Sequence, residues 1–199
     1  MSTTIERLNV DGAVRDRYSN AAKAQEAALC CPVSYDAKYL EIIPQEIIDR
    51  DYGCGDPSQY LEPGDHVLDL GSGGGKICYI ASQVVGPQGY VVGVDVNDEM
   101  LALARKYQKE VADRIGYQNT DFRKGRIQDL RLNLEAFEEH LQKNPANSAM
   151  SWLAADEAAE ELSTTEPLVE DDSMDAVVSN CVLNLVRNDD RKRLFSEVY

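Results

Sequence analysis

Residues 65–95 read DHVLDLGSGGGKICYIASQVVGPQGYVVGVD, and no other stretch restricts the fold as much. A short apolar run, VLDL, ends in a glycine cluster. A helix-like segment, KICYIASQVV, follows and stops at GPQG. A second apolar run, YVVGVDV, contains Asp95 near its end. Strand, helix and strand with short connections form a βαβ unit, and such units build parallel sheets.

The rest of the chain extends that unit. Asn97 is placed to cap a helix over EMLALARKYQKEVADRI, with Asp98 and Glu99 in its first turn and Gly116 to stop it. TDFRKG reads as a third strand. Two acidic amphipathic stretches, LEAFEEHLQKN and WLAADEAAEEL, make residues 130–172 a helical insertion. A fourth strand is expected at Ala176–Ser179, and NDDRKRLFSEVY begins a further helix. Residues 1–60 differ in character. They are Ala-rich, are broken by Pro32 and Pro44, and finish in the turn-forming DRDYGCGDP. The expected organisation is therefore a helical cover over 1–60 and an α/β domain over 61–199. Doubly wound sheets carry strands on both sides of their switch point. With four strands in view, the chain reads as a fragment truncated after the fourth.

The glycine loop is Asp69-Leu70-Gly71-Ser72-Gly73-Gly74-Gly75-Lys76. Glycines at a strand-to-helix turn let a ligand approach the backbone closely. A dinucleotide loop needs G-x-G-x-x-G, but the sixth position from Gly71 is Lys76. A P-loop needs glycine five residues before Gly75 and Ser or Thr after the lysine, where the chain has Leu70 and Ile77. The pattern left is D-x-G-x-G-x-G. Asp95 ends the second strand, where a carboxylate can accept hydrogen bonds from both ribose hydroxyls. A chance glycine-rich turn with a capping acid is the plain alternative, and the combined placement of loop, acid and strands argues against it.

Net charge is −15, which disfavours nucleic acid as a partner because phosphate backbones recruit basic surfaces. There is no apolar run of membrane-spanning length and no signal-peptide pattern, so the expected address is the cytoplasm. The five cysteines, at 30, 31, 54, 78 and 181, are odd in number and widely spaced, unlike a secreted disulfide framework. Cys78 lies among Ile77, Tyr79 and Ile80 and reads as core. Cys181 follows the fourth strand at its carboxyl end, the edge where open α/β sheets bind ligands. Cys54 sits between two glycines in the segment expected to cover that edge, and Cys30 and Cys31 come from the helical cover. Converging thiolates suit a soft centre, either zinc or trivalent arsenic.

The D-x-G-x-G-x-G loop resembles the first motif of class I S-adenosylmethionine-dependent methyltransferases. That resemblance implies a Rossmann-like sheet and S-adenosylmethionine held by Asp69, Gly71, Ser72, Gly73, Gly75 and Asp95. It also implies adenine contacts at Ile127 and Gln128, with Asn180 facing the methyl group. CCP, RDYGCGDP, VLDLGSGGGKICY, GVDVNDEM and VSNCVLNLV in turn resemble the successive motifs of arsenite methyltransferases. This second resemblance implies arsenite, or its thiol conjugate, bound by Cys54 and Cys181. It places Tyr52 at the cofactor and gives Cys30 or Cys31 a disulfide-forming role during turnover. A thiol reductant such as glutathione or thioredoxin is implied as a partner. A further substrate cysteine of that family lies downstream of residue 199. Two alternatives stay open: a methyltransferase for another small molecule, and a module that binds cofactor or metalloid without turnover.

Overall fold

The computed structural model describes residues 35–199 except Tyr52 and Cys54, and the side chain of Asn184 is likewise not described. The expectations for Cys30, Cys31, Tyr52 and Cys54 therefore lie outside the described residues. Four parallel strands form one sheet: β1 (His66–Leu70), β2 (Tyr90–Asp95), β3 (Thr120–Lys124) and β4 (Ala176–Ser179). Their order is β3-β2-β1-β4. The chain winds outward from β1 through β2 to β3, then returns to the other side of β1. The order reverses between β1 and β4, and that switch point is where a doubly wound sheet opens a crevice for ligands.

Among the described residues, α1 (Ala37–Leu40) and α2 (Gln45–Asp49) precede the sheet. They are followed by a 3-10 turn at Pro57–Tyr60. Helix α3 (Lys76–Val85) joins β1 to β2, and α4 (Asp98–Ile115) joins β2 to β3. Helices α5 (Leu134–Lys143) and α6 (Ala149–Thr165) lie between β3 and β4, and α7 (Arg191–Val198) follows β4.

Local chemistry sets the helix ends. Asn97 accepts backbone N–H bonds from Glu99 and Met100, both at 3.1 Å. Gly116, at φ 88°, ends the same helix. Ser148 and Ser151 form a reciprocal capping box at the start of α6.

Side chains alternate across the sheet with the period of two that a strand imposes. Val67 and Val91 face α3 and α4 and join Ile80, Tyr79, Leu101 and Phe122 in one core. Leu68, Leu70, Val92 and Val94 face the other way and pack with Leu130, Leu168 and Val169. Asp69 is two residues on from Val67 and so faces α3. An acid at that position is the one break in an otherwise apolar strand face.

The insertion is pinched at its base. Leu168 N–H donates to the Arg131 carbonyl at 2.9 Å, and Val169 N–H donates to Leu130 at 3.0 Å. No helix among the described residues is long and apolar enough to cross a membrane.

Candidate active site

A cleft of about 530 Å³, open to solvent, sits at the carboxyl ends of β1 and β4. That volume falls in the small-molecule range of about 300–1,000 Å³. Asp69, Gly71, Ser72, Gly73, Asn180 and Cys181 all line it. Residues separated by more than a hundred positions thus meet because β1 and β4 are neighbours.

The floor is Asp69, buried at 2% exposure. The Cys78 thiol donates to its Oδ2 at 3.3 Å. Burial pushes the Asp69 carboxyl up to about 7, and the Cys78 hydrogen bond opposes this. The charges of Asp95 and Asp51 add to the rise. Burial likewise pushes the Cys78 thiol well above its ordinary value, followed by the Asp69 charge. Cys78 is therefore an inert thiol within the fold rather than a thiolate. It belongs to the core as its neighbours imply, with one polar partner that the sequence pattern does not reveal.

The glycine loop crosses above this floor. Gly73 has φ 53°, a left-handed conformation that suits glycine, and its Cβ direction is open. Its N–H donates to Asp95 Oδ2 at 2.9 Å, while Asp95 Oδ1 accepts from Asn97 N–H at 2.8 Å. The acid at the end of β2 thus shapes the loop, and each oxygen keeps a second acceptor site for a ligand. Burial raises the Asp95 pKa, and the N–H bonds from Asn97, Gly73 and Val96 oppose it. Gly75 begins α3 as its N-cap at φ 86°. Ser72 has a buried hydroxyl oxygen with no hydrogen-bond partner among the described residues. A buried orphan of this kind calls for a partner from outside the chain.

The wall opposite comes from residues 50–55. Asp51 forms an ion pair with Lys76, whose ammonium also lies 3.8 Å from the centroid of the Tyr35 ring. Arg50 pairs with Glu46 at 2.9 Å. Asn180 Nδ2 donates to the Gly55 carbonyl at 2.7 Å, and Tyr35 Oη donates to the same oxygen at 2.9 Å. A Cβ at Gly53 would overlap the Asn180 amide, so a side chain there would force the two segments apart. Position 54 itself lies outside the described residues, but both its neighbours rest beside Asn180 or bond to it.

Cys181 has φ 61°, in the left-handed region that non-glycine residues rarely adopt. Such a conformation costs on the order of 1–3 kcal/mol and persists where the surroundings impose it, often at functional sites. The residue is disulfide-bonded in this structure, so it can act as a thiolate ligand only after reduction.

Ile127 and Gln128 are placed elsewhere. They occupy a turn closed by the Asp129 N–H bond to Arg126 O at 2.9 Å. Ile127 packs against the second core and Gln128 is buried. Neither lines the cleft. Sequence reasoning passed over Tyr35, Asp51 and Lys76. One signal was available: Lys76 puts a cation at the first turn of α3, where the helix dipole disfavours it. A lysine there calls for a nearby anion.

Three comparisons with known proteins bear on this arrangement. Residues 61–150 match the family of the methyltransferase domain. The chain belongs to the class I methyltransferases. It is 34% identical to an arsenite methyltransferase of Aquipseudomonas alcaligenes over 90% of its own length and 42% of the relative's. It is 30% identical to the arsenite methyltransferase of Rattus norvegicus over 94% of its length and 43% of the relative's. The crystal structure of CrArsM, an arsenic(III) S-adenosylmethionine methyltransferase from Chlamydomonas reinhardtii, superposes with a TM-score of 0.58. It is 30% identical, with 84% of this chain and 44% of that one covered. The chain spans less than half the length of these relatives.

S-adenosylmethionine is the cofactor of this family, and the site fits it. Ser72 supplies an unused buried hydroxyl, Gly73 an open backbone, and the acids a matching charge. Of the cations lining the cleft, Arg50 and Lys76 already face Glu46 and Asp51. Asp69 and Asp95 have no ion-pair partner among the described residues. A sulfonium and an ammonium, the two cationic groups of S-adenosylmethionine, complement them.

Proposed function

We propose that this chain forms the cofactor-binding part of an enzyme that methylates trivalent arsenic held on cysteine thiolates. The observation that carries the reading is Cys181, which lines the same cleft as the glycine loop. Two others support it. Asn180, beside that cysteine, bonds to Gly55, and so the loop that contains Cys54 is tethered at the same sheet edge. The relatives named above are arsenite methyltransferases over nearly the whole of this chain.

In this reading Gly71, Ser72, Gly73 and Gly75 hold the amino-acid end of the cofactor. Asp95 receives the ribose, Ile127 and Gln128 border the adenine, and Tyr52 lies along the cofactor. Cys54 and Cys181, both reduced, hold arsenite or its thiol conjugate as substrate. When bound, S-adenosylmethionine supplies a methyl group on a sulfonium, which the arsenic lone pair displaces while the carbon–sulfur bonding pair leaves with sulfur. No proton leaves the nucleophile, so the site needs no general base. Its contribution is to hold two reactants in contact. Arsenic is formally oxidised from the trivalent to the pentavalent state. Two thiols return it by forming a disulfide in which Cys30 or Cys31 takes part. Glutathione or thioredoxin resets that disulfide.

The test is a product assay with the chain, S-adenosylmethionine, arsenite and excess thiol reductant, followed by separation of arsenic species. Methylated arsenic that falls at least tenfold in Cys181→Ser and in Cys54→Ser supports the reading. Cofactor binding with no arsenite binding overturns its arsenic part and returns the substrate to another small molecule. Binding of both without product leaves the chain a holding module that requires the rest of its relatives' length.

A further inference from the structure

The segment over the cleft is held in two different ways. Its base, residues 39–48, is built into the molecule. Ile43 and Ile47 are buried in the main core. Arg114 donates to the Ile42 carbonyl at 2.8 Å, Gln83 donates to the Tyr39 carbonyl at 3.0 Å, and Glu46 accepts from Lys106 at 2.5 Å. Its tip is different. Among the described residues of 50–57 none is buried. The tip ends at Ser58, which is buried and bonded to Asp56 at 3.0 Å. Between those anchors, polar contacts hold the tip to the body. These are Lys76 on Asp51, and Asn180 and Tyr35 on the Gly55 carbonyl.

Lys76 is the most enclosed of these groups, with its side chain 7% exposed and that of Asp51 16%. Its position joins two functions. The backbone of Lys76 directly follows Gly75 in the cofactor loop, and its ammonium grips the loop that carries Cys54. Asp51 Oδ2 also accepts the Gly53 N–H at 3.2 Å, so the ion pair extends into the backbone beside position 54. The Tyr35 ring covers the opposite face of the ammonium.

We propose that Lys76 and Asp51 are positioning residues that set residues 51–56 against the glycine loop, so that the thiol of Cys54 is presented at a fixed distance from the cofactor. The purpose of the pair rests on the arsenic reading above, whereas its geometry does not. A buried ammonium without its carboxylate is costly, so each partner holds the other in place.

Hydrogen exchange on the reduced full chain tests this. In Lys76→Met, peptides spanning 50–58 are expected to exchange about tenfold faster, while β1 and α3 keep their protection. Lys76→Arg keeps the charge and the stacking on Tyr35, and is expected to restore slow exchange. Asp51→Asn, at the more exposed partner, is expected to reproduce Lys76→Met and serves where that variant fails to fold. Unchanged exchange over 50–58 in both neutral variants overturns the proposal. So does a rise shared equally by β1, because the pair is then only part of the general fold. Titration of the same variants with a trivalent arsenical provides the separate readout. Wild-type protein that ignores the arsenical sinks the arsenic reading and leaves the exchange result standing. Binding that weakens in Lys76→Met and recovers in Lys76→Arg assigns the positioning to the thiol site.

Discussion

The β1–α3 unit and the inserted helices α5 and α6 are both built from amphipathic sequence, yet they are held very differently. Eight of the ten residues of α3 are buried. Helix α6 buries only Ala155 and Ala158, and α5 buries none of its residues. Helix α3 lies between the sheet and the cover, so both its sides meet protein. The inserted pair is held by the pinch at its base and by ion pairs such as Arg105–Glu135 at 2.7 Å and Lys124–Glu138 at 2.6 Å. Exposed or half-exposed pairs of this kind contribute up to about 1 kcal/mol each. The cleft is built wholly on the first kind of structure. A cofactor loop needs a floor that does not move, whereas an insertion remote from the cleft does not.

That contrast can be broken most sharply at Tyr79. Its ring is fully buried, meets Phe122 edge-on at 5.5 Å, and its hydroxyl donates to the Ala104 carbonyl at 2.6 Å. Tyr79→Ala is expected to cost about 3–5 kcal/mol in urea unfolding. A loss below about 1 kcal/mol would show that α3 is not the rigid floor described here.

Asp69 tests the same floor through pH. Its carboxyl stands near 7 in the fold against 3.8 for an ordinary aspartate. The raised value means that the native state holds the proton more tightly than the unfolded chain. This contribution to stability is complete below about pH 4 and is lost as pH rises through about 7. The full loss amounts to about 4 kcal/mol, from roughly three pH units at 1.36 kcal/mol each. Urea midpoints between pH 5 and 8 should fall in the wild type and fall less in Asp69→Asn. Equal slopes would remove Asp69 as the source.

The insertion should answer weakly. Trp152 is 59% exposed, and Trp152→Ser is expected to change stability by less than about 0.5 kcal/mol. Limited proteolysis should cut first within residues 144–148, which are exposed and link α5 to α6. A first cut inside α3 would reverse the comparison.

Much of the rigid region was legible. KICYIASQVV is α3 from its first residue to its last, because the apolar spacing, the preceding glycine and the following GPQG mark one helix. Asn97 caps α4 as its type predicts. The insertion was readable only in outline. Helix α6 starts at Ala149, three residues before the apolar stretch that signals it. Its capping box uses Ser151 where the usual pattern has Glu or Gln, so the signal is faint. The candidate site divides in the same way. The glycine loop announces itself because strand, loop and helix are contiguous. Lys76 and Asp51 are 25 positions apart, and neither residue by itself signals a partner.

The sequence by itself determined the parallel α/β class, the position of the glycine loop and the acid that ends the second strand. Each of these is written in neighbouring residues, where local backbone preference and hydrophobic period decide the outcome. The tertiary structure alone decided that Asp69 lies buried over Cys78, that Lys76 reaches Asp51 beneath Tyr35, and that Asn180 holds Gly55. These contacts join segments between nine and 125 positions apart. They exist because the sheet places β1 beside β4 and packs the cover across their ends, and no local preference encodes which distant side chains then share one buried space.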